Sequence, residues 1–244
     1  MRPRHCLPFL MLVALTLTSC STVRKSADFQ KRLEEIKTVA VMDPDIAIER
    51  LVFKGDNETL YDESSAAGKQ ARHTVEEELT NKGFQVIPEQ VIQDKLKQNP
   101  DVLLTLGKIK DRYSALLGDV QNHFVKKMQW KDFNLSLTSE VNPLVDLLET
   151  DSLIFVSGSG FVNSGGETAG DLAKTLLIGA ASLGSVLYVE PTAGGQVHIS
   201  WVDGDNGNLL WHNFSNAGIQ YNFTKEKGIK NAVKGAIRPF PKQK

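Results

Sequence analysis

Apolar and polar positions along this chain recur with two periods, and each change of period marks an element. Lys37 to Met42 (KTVAVM) is a β-branched run closed by Asp43-Pro44, which predicts a core strand. Residues 46–53 alternate more weakly and predict a second strand before the turn Gly55-Asp56-Asn57. From Ser64 or Ser65 the period lengthens. Ala67, Ala71, Val75 and Leu79 recur at helical spacing, and Gly83 is placed to end that helix in left-handed backbone. Phe84 to Ile87 predicts a short strand, and Pro88 opens a second, shorter helix. Asn99-Pro100-Asp101 combines a cap residue, a proline and an acid at a helix start. The stripe that follows, Leu106, Ile109, Tyr113, Leu116, Val120, Phe124 and Met128, predicts a long core-facing helix. Lys126 and Lys127 suit the negative pole at its end, and Gly107 and Gly118 are points where it can bend.

Asn142-Pro143 opens a helix through Leu148. Ser152 to Val156 is a continuous apolar run of strand length, so it is expected at the centre of the sheet with both faces covered. A glycine-rich loop is expected from Gly158 to Gly170, followed by a small-residue helix over Asp171 to Val186. That helix is charge-free but shorter than the ~20 residues a membrane span needs. Val197, Ile199 and Trp201 alternate on one strand, and Leu209 and Trp211 on the next. Asp205-Asn206-Gly207 fits the loop between them, a register that sets Trp201 opposite Trp211. A last helix from Lys225 carries Ile229, Val233 and Ile237 beside Lys230, Lys234 and Arg238, until Pro239 and Pro241 stop it. The pattern predicts a single α/β domain over residues 37–244: a mixed sheet flanked by helices, with a C-terminal antiparallel hairpin.

The start of the chain follows another rule. Arg2 and Arg4 precede an apolar run, Leu7 to Leu17, and then Leu17-Thr18-Ser19-Cys20. A charged segment, a short apolar segment and a small residue directly before a cysteine form a secretory signal. Its last four residues resemble the lipobox of bacterial lipoproteins, which implies removal of residues 1–19 and acylation of Cys20. Residues 20–36 are then a lipidated tether and a first helix. Cys6 leaves with the signal, so Cys20 is the only cysteine of the mature chain and no disulfide supports the fold. The formal net charge of −1 becomes more negative when Arg2 and Arg4 are lost, which argues against a nucleic-acid partner.

Candidate chemistry is sparse. Gly158-Ser159-Gly160 lies where phosphate loops sit, but Lys174-Thr175 is too distant, and Asp171 would repel an anion at the helix start. Ser159 lacks the Gly-x-Ser-x-Gly context of a nucleophile elbow, since position 157 is serine. His73, His123, His198 and His212 fall on separate elements without metal-ligand spacing; His198 and His212 are expected on facing strands of one hairpin. Asp203-Gly204-Asp205-Asn206-Gly207 begins like a calcium loop but lacks its later ligands. No catalytic residue, metal ligand or cofactor is predicted.

The segments KTVAVM, TVEEELTNKGFQVIP, DSLIFVSGSG and VHISWVDGDNGNLLWHN carry a resemblance, running from Lys37 to Phe214. They resemble envelope lipoproteins related to the curli-assembly channel lipoprotein, the lipoprotein activators of penicillin-binding proteins, and the amino-terminal domain of the Tol-system translocation protein B. Small members without an assigned activity are the most similar. The resemblance implies a non-catalytic interaction or assembly module at the periplasmic face of the outer membrane. Its expected partners are the membrane, through lipid on Cys20, an envelope protein, and further copies of itself. The candidate interface is Gly158, Gly160, Gly165 and Gly166 with the hairpin residues Trp201 and Trp211. A subunit or accessory of an oligomeric outer-membrane secretion pore is the alternative, and an unrecognised hydrolase a remote one. The curli-type channel has barrel hairpins where Asp171 to Val186 reads as helix, which argues against the pore.

Overall fold

The computed structural model describes residues 23–52, 56–125, 134–163, 193–218 and 221–243. Cys20, Gly165, Gly166, the turn residue Gly55 and the helix expected over 171–186 lie outside the described residues. The described elements are β1 (Arg24–Lys25), α1 (Phe29–Glu35), β2 (Thr38–Val41), β3 (Asp45–Leu51), β4 (Glu58–Thr59), α2 (Tyr61–Asn81), β5 (Gln85–Val86) and α3 (Glu89–Gln98). They continue with α4 (Pro100–Val125), α5 (Asn142–Leu148), β6 (Ser152–Asn163), β7 (Ala193–Asp203), β8 (Leu209–Gly218) and α6 (Glu226–Ile237). Eight strands form one open sheet in the order β1-β8-β7-β6-β2-β5, with β3 also on β6 and β4 on β3. Strands β2 and β3 run parallel to β6, and β5 parallel to β2, whereas β7, β8 and β1 join antiparallel. The sheet is mixed, flanked by helices, and carries the β7–β8 hairpin predicted from the alternation.

The two strands expected over residues 37–53 form one course beside β6, broken by a jog. Val41 lies opposite Ile154 and Asp45 opposite Ser157, so Met42, Asp43 and Pro44 span the place of two residues on β6. One residue too many makes a bulge, and Pro44 has no N–H to lose there. The loop expected from Gly158 is corrected in the same region. Strand β6 continues to Asn163, paired to β3 on one side and β7 on the other, so Gly158 and Gly160 are inside the sheet. Helix α2 begins at Tyr61, ahead of Ser64, with Asp62 and Glu63 in its first turn where the dipole favours acids.

Helices cover both faces of the sheet. On the first face α1, α2 and α6 bury Leu33, Val75, Leu79 and Val233 against Val39, Ile154, Ile199 and Trp201. On the second face α3, α4 and α5 bury Ile92, Ile109, Tyr113 and Leu144 against Ala40, Leu153, Phe155 and Val202. The stripes read from the sequence on α2 and α6 are buried, as is that on α4 from Leu106 to Val120; Met128, Lys126 and Lys127 lie outside the described residues.

Candidate functional site

The expected interface residues are placed by packing. Trp201 and Trp211 sit opposite each other, as the register predicted, but both are 0% exposed. The expectation that they face a partner is therefore corrected. Trp201 meets Phe29 edge-on at 6.0 Å and Phe84 at 5.8 Å, and Phe240 lies 5.0 Å from Trp201 and 4.9 Å from Trp211. Elements remote in sequence thus close one aromatic cluster. Gly160 and Gly195 pair across β6 and β7, and the Phe223 ring lies on them. A Cβ on Gly160 would stand 2.9 Å from Phe223, and one on Gly195 would stand 2.8 Å from its ring. At Gly158 a Cβ would reach within 2.8 Å of the Gln196 carbonyl oxygen. Close approach accounts for these glycines.

Three polar groupings remain. The Lys37 and Val39 carbonyls accept from Gln85 and Ile87 on the β5 side of β2, but β5 ends at Val86, and the next carbonyl on that side, Val41, accepts instead from Arg72 Nη1 of α2 at 2.7 Å. The same guanidinium, 3% exposed, pairs with Asp43 and stands 3.6 Å from both Glu76 and Glu89. A cleft of about 340 Å³ opens beside it, lined among others by Asp45, Ser64, Lys69 and Gln93. This is the carboxyl end of a parallel strand, where open α/β sheets commonly bind ligands. Arg72 is already engaged by carboxylates on several sides, so it has little capacity left for an anion.

At the hairpin turn, Asp203 is 0% exposed and accepts two hydrogen bonds of 2.7 Å from Arg32 of α1. It also accepts from the Asp205 backbone N–H at 3.0 Å. Burial works against the Arg32 charge, but Asp203, with help from Glu35 and Asp205, outweighs it and moves the pKa up. Asp151 does similar work at the start of β2. Its carboxylate accepts the backbone N–H groups of Lys37 and Thr38, both at 2.8 Å, and these bonds outweigh its burial and lower its pKa. Both carboxylates are structural clamps.

The third grouping is a buried polar chain on the second face. Tyr113 O–H donates to Ser200 Oγ at 2.9 Å, and Ser200 Oγ lies 2.9 Å from His212 Nδ1. The Ser200 hydroxyl, with one proton and two lone pairs, links the tyrosine to the imidazole in either neutral tautomer of His212. His198 is stacked between His212, 5.5 Å away, and Phe214, 5.4 Å away. Neither ring nitrogen of His198, nor His212 Nε2, has a hydrogen-bond partner among the described residues. Burial pushes the His198 pKa down to about 4. Burial, with His198 and Arg24 nearby, pushes His212 down to about 3. Ser200 and His212 have the spacing of a nucleophile and its base, but both are 0% exposed, and His212 has no acid to orient it. A base with its pKa held so low is a weak acceptor for the serine proton.

No family model matches the chain, and no curated protein matches it. Among solved structures, the LpoB C-terminal domain from Salmonella enterica is similar over 77% of this chain and 90% of that one. The identity is 11% and the TM-score 0.32. Similarity at that level leaves activity to be argued from the residues themselves.

Sequence reasoning passed over Arg72 and the Ser200–His212 pair. Arg72 carried a signal: it lies four residues after Gly68 and three before Val75, on the buried side of α2. His198 and Ser200 alternate with Val197, Ile199 and Trp201, a pattern that reads as a wetted strand face. In the fold that face is covered as well. Among the described residues no group of three or more His, Cys, Asp or Glu could hold a metal ion, and no helix is long and apolar enough to cross a membrane.

Proposed function

We propose that the protein is an outer-membrane lipoprotein, acylated on Cys20, whose domain serves on the periplasmic face as a non-catalytic interaction or assembly module. The observation that carries this reading is the N-terminal signal ending in Leu17-Thr18-Ser19-Cys20, a few residues ahead of β1. The polar groupings support the non-catalytic half. Arg72, Asp203 and Asp151 are used to hold backbone and turns, and the Ser200–His212 pair is enclosed and weakly basic. Partner recognition then falls to the exterior, where Leu103 (49% exposed), Leu104 (69%) and Val91 (40%) are, among the described side chains, the large apolar ones of α3 and α4 left in solvent.

Mass spectrometry of the purified protein, with fractionation of Cys20→Ala, tests the anchor. An acyl mass on Cys20 and release of the variant from the membrane are expected. An unmodified thiol, or an N-terminus elsewhere, overturns the reading. Crosslinking in intact cells through probes at Leu104 tests the module, with a discrete adduct to an envelope protein expected.

A further inference from the structure

Two residues, Ser21 and Thr22, separate Cys20 from Val23, the first described residue, which packs half-buried against the first-face core. Fully extended, that tether reaches about 10 Å. From Val23 onward the chain has no slack. Arg24 and Lys25 pair with His212 and Trp211 of β8. The Ser26 N–H donates to the Leu210 carbonyl at 2.9 Å, and Phe29 and Leu33 are buried. A globule of this length has a radius of gyration of roughly 17 Å. The tether is shorter than that radius, so an acylated Cys20 keeps the β1–β8 margin of the sheet at the lipid head groups.

That margin carries exposed cations on β1 and α6, with Asp28 the exposed acid between β1 and α1. Helix α6 lies over β8, joined to it by Asn213 Nδ2 donating to the Ala236 carbonyl at 2.6 Å. Its outward stripe is Lys227, Asn231, Lys234 and Arg238, and Glu226 is the only acid in the helix. Lys227 and Arg238 are exposed, whereas Lys234 reaches Glu78 of α2 at 3.5 Å. Lys25 on β1 is exposed as well, its ammonium 4.6 Å from the centre of the Phe29 ring. Basic residues are drawn to an anionic lipid surface when they lie within a Debye length of it, ~8 Å.

We infer that the β1–β8 margin and the outward stripe of α6 form a lipid-contacting surface, which seats the domain on the anionic leaflet holding its acyl group. The inference rests on the acylation proposed above. It deepens that reading by fixing the domain's orientation: α3 and the β5 side of the sheet point away from the bilayer, so a protein partner meets that side.

The test uses the acylated mature protein with one added cysteine, at position 227 beside a restored cation (Lys227→Cys with Asn231→Lys) on α6 or Lys97→Cys on α3, since acylation consumes the thiol of Cys20. Each is labelled with a fluorophore and reconstituted into phosphatidylglycerol/phosphatidylethanolamine vesicles carrying a head-group quencher. Strong quenching at position 227 and little at 97 are expected. The difference should shrink in high salt and when phosphatidylcholine replaces phosphatidylglycerol. It should also shrink when about ten Gly/Ser residues, adding ~17 Å of reach, follow Thr22. Equal quenching at both positions, in protein whose mass shows the acyl group, overturns the orientation and leaves the anchor standing. An unmodified Cys20 overturns both.

Discussion

Lowering the pH should weaken this fold by charging two histidines that its core holds neutral. His198 and His212 have pKa values of about 4 and about 3 in the folded chain, both depressed by burial. Unfolded, each returns to about 6.5, so below that pH the unfolded state binds protons that the folded state refuses. Stability therefore falls with pH from about 6.5 down to the folded values. Between pH 7 and pH 5 each histidine contributes a loss of about 2 kcal/mol, roughly 4 for the pair. Against the 5–15 kcal/mol typical of domains, that is a large fraction. Urea unfolding of the mature chain carrying Cys20→Ser, followed by fluorescence of the buried Trp201 and Trp211, gives the measurement. His198→Leu removes one titrating group and two buried nitrogens without partners. It should leave stability at pH 7 equal or higher and cut the loss between pH 7 and pH 5 by about 2 kcal/mol. A variant that loses as much as the parent over that interval would refute the assignment.

Phe240 touches both buried indoles, so Phe240→Ala should cost about 3–5 kcal/mol, read as a lowered Tm; a loss below about 1 kcal/mol would separate Phe240 from the core. Arg72→Met removes the donor to the Val41 carbonyl and strands Asp43, and should cost about 2–4 kcal/mol by urea titration. Should it prove neutral, the jog after β2 does not depend on that guanidinium. Gly160→Ala drives a methyl into Phe223 at a cost of about 1–3 kcal/mol. Adding Phe223→Leu should recover part of that, with a coupling of about 0.5–3 kcal/mol in a double-mutant cycle, whereas strict additivity would detach the two positions.

Much of the architecture was legible because most elements carry their own period. Val75 and Leu79 on α2, Leu106 to Val120 on α4, and Ile229 to Ile237 on α6 point one way at helical spacing, and those faces are buried. Gly83 and Gly207 were equally readable: both hold positive φ, 93° and 71°, where other residues are strained. The extension of β6 through Gly158 and Gly160 was not. Glycines have no side chain to alternate, and strand conformation there is set by pairing with β3 and β7 and by the Phe223 ring, all distant in sequence. The indoles were misjudged for a related reason. Alternation shows that Trp201 and Trp211 share a face, but only the docking of α1 and Phe240 shows that the face is enclosed. Arg72 was hidden because the need for it arises from a carbonyl thirty-one positions earlier, left without a strand partner where β5 ends.

The ring cluster around Trp201 draws on Phe29, Phe84 and Phe240. A ribosome delivers these positions one after another, and no early subset encloses the indoles. The nascent chain thus lacks its interior until its last residues appear, and position 240 must emerge before the hydrophobic centre can shut.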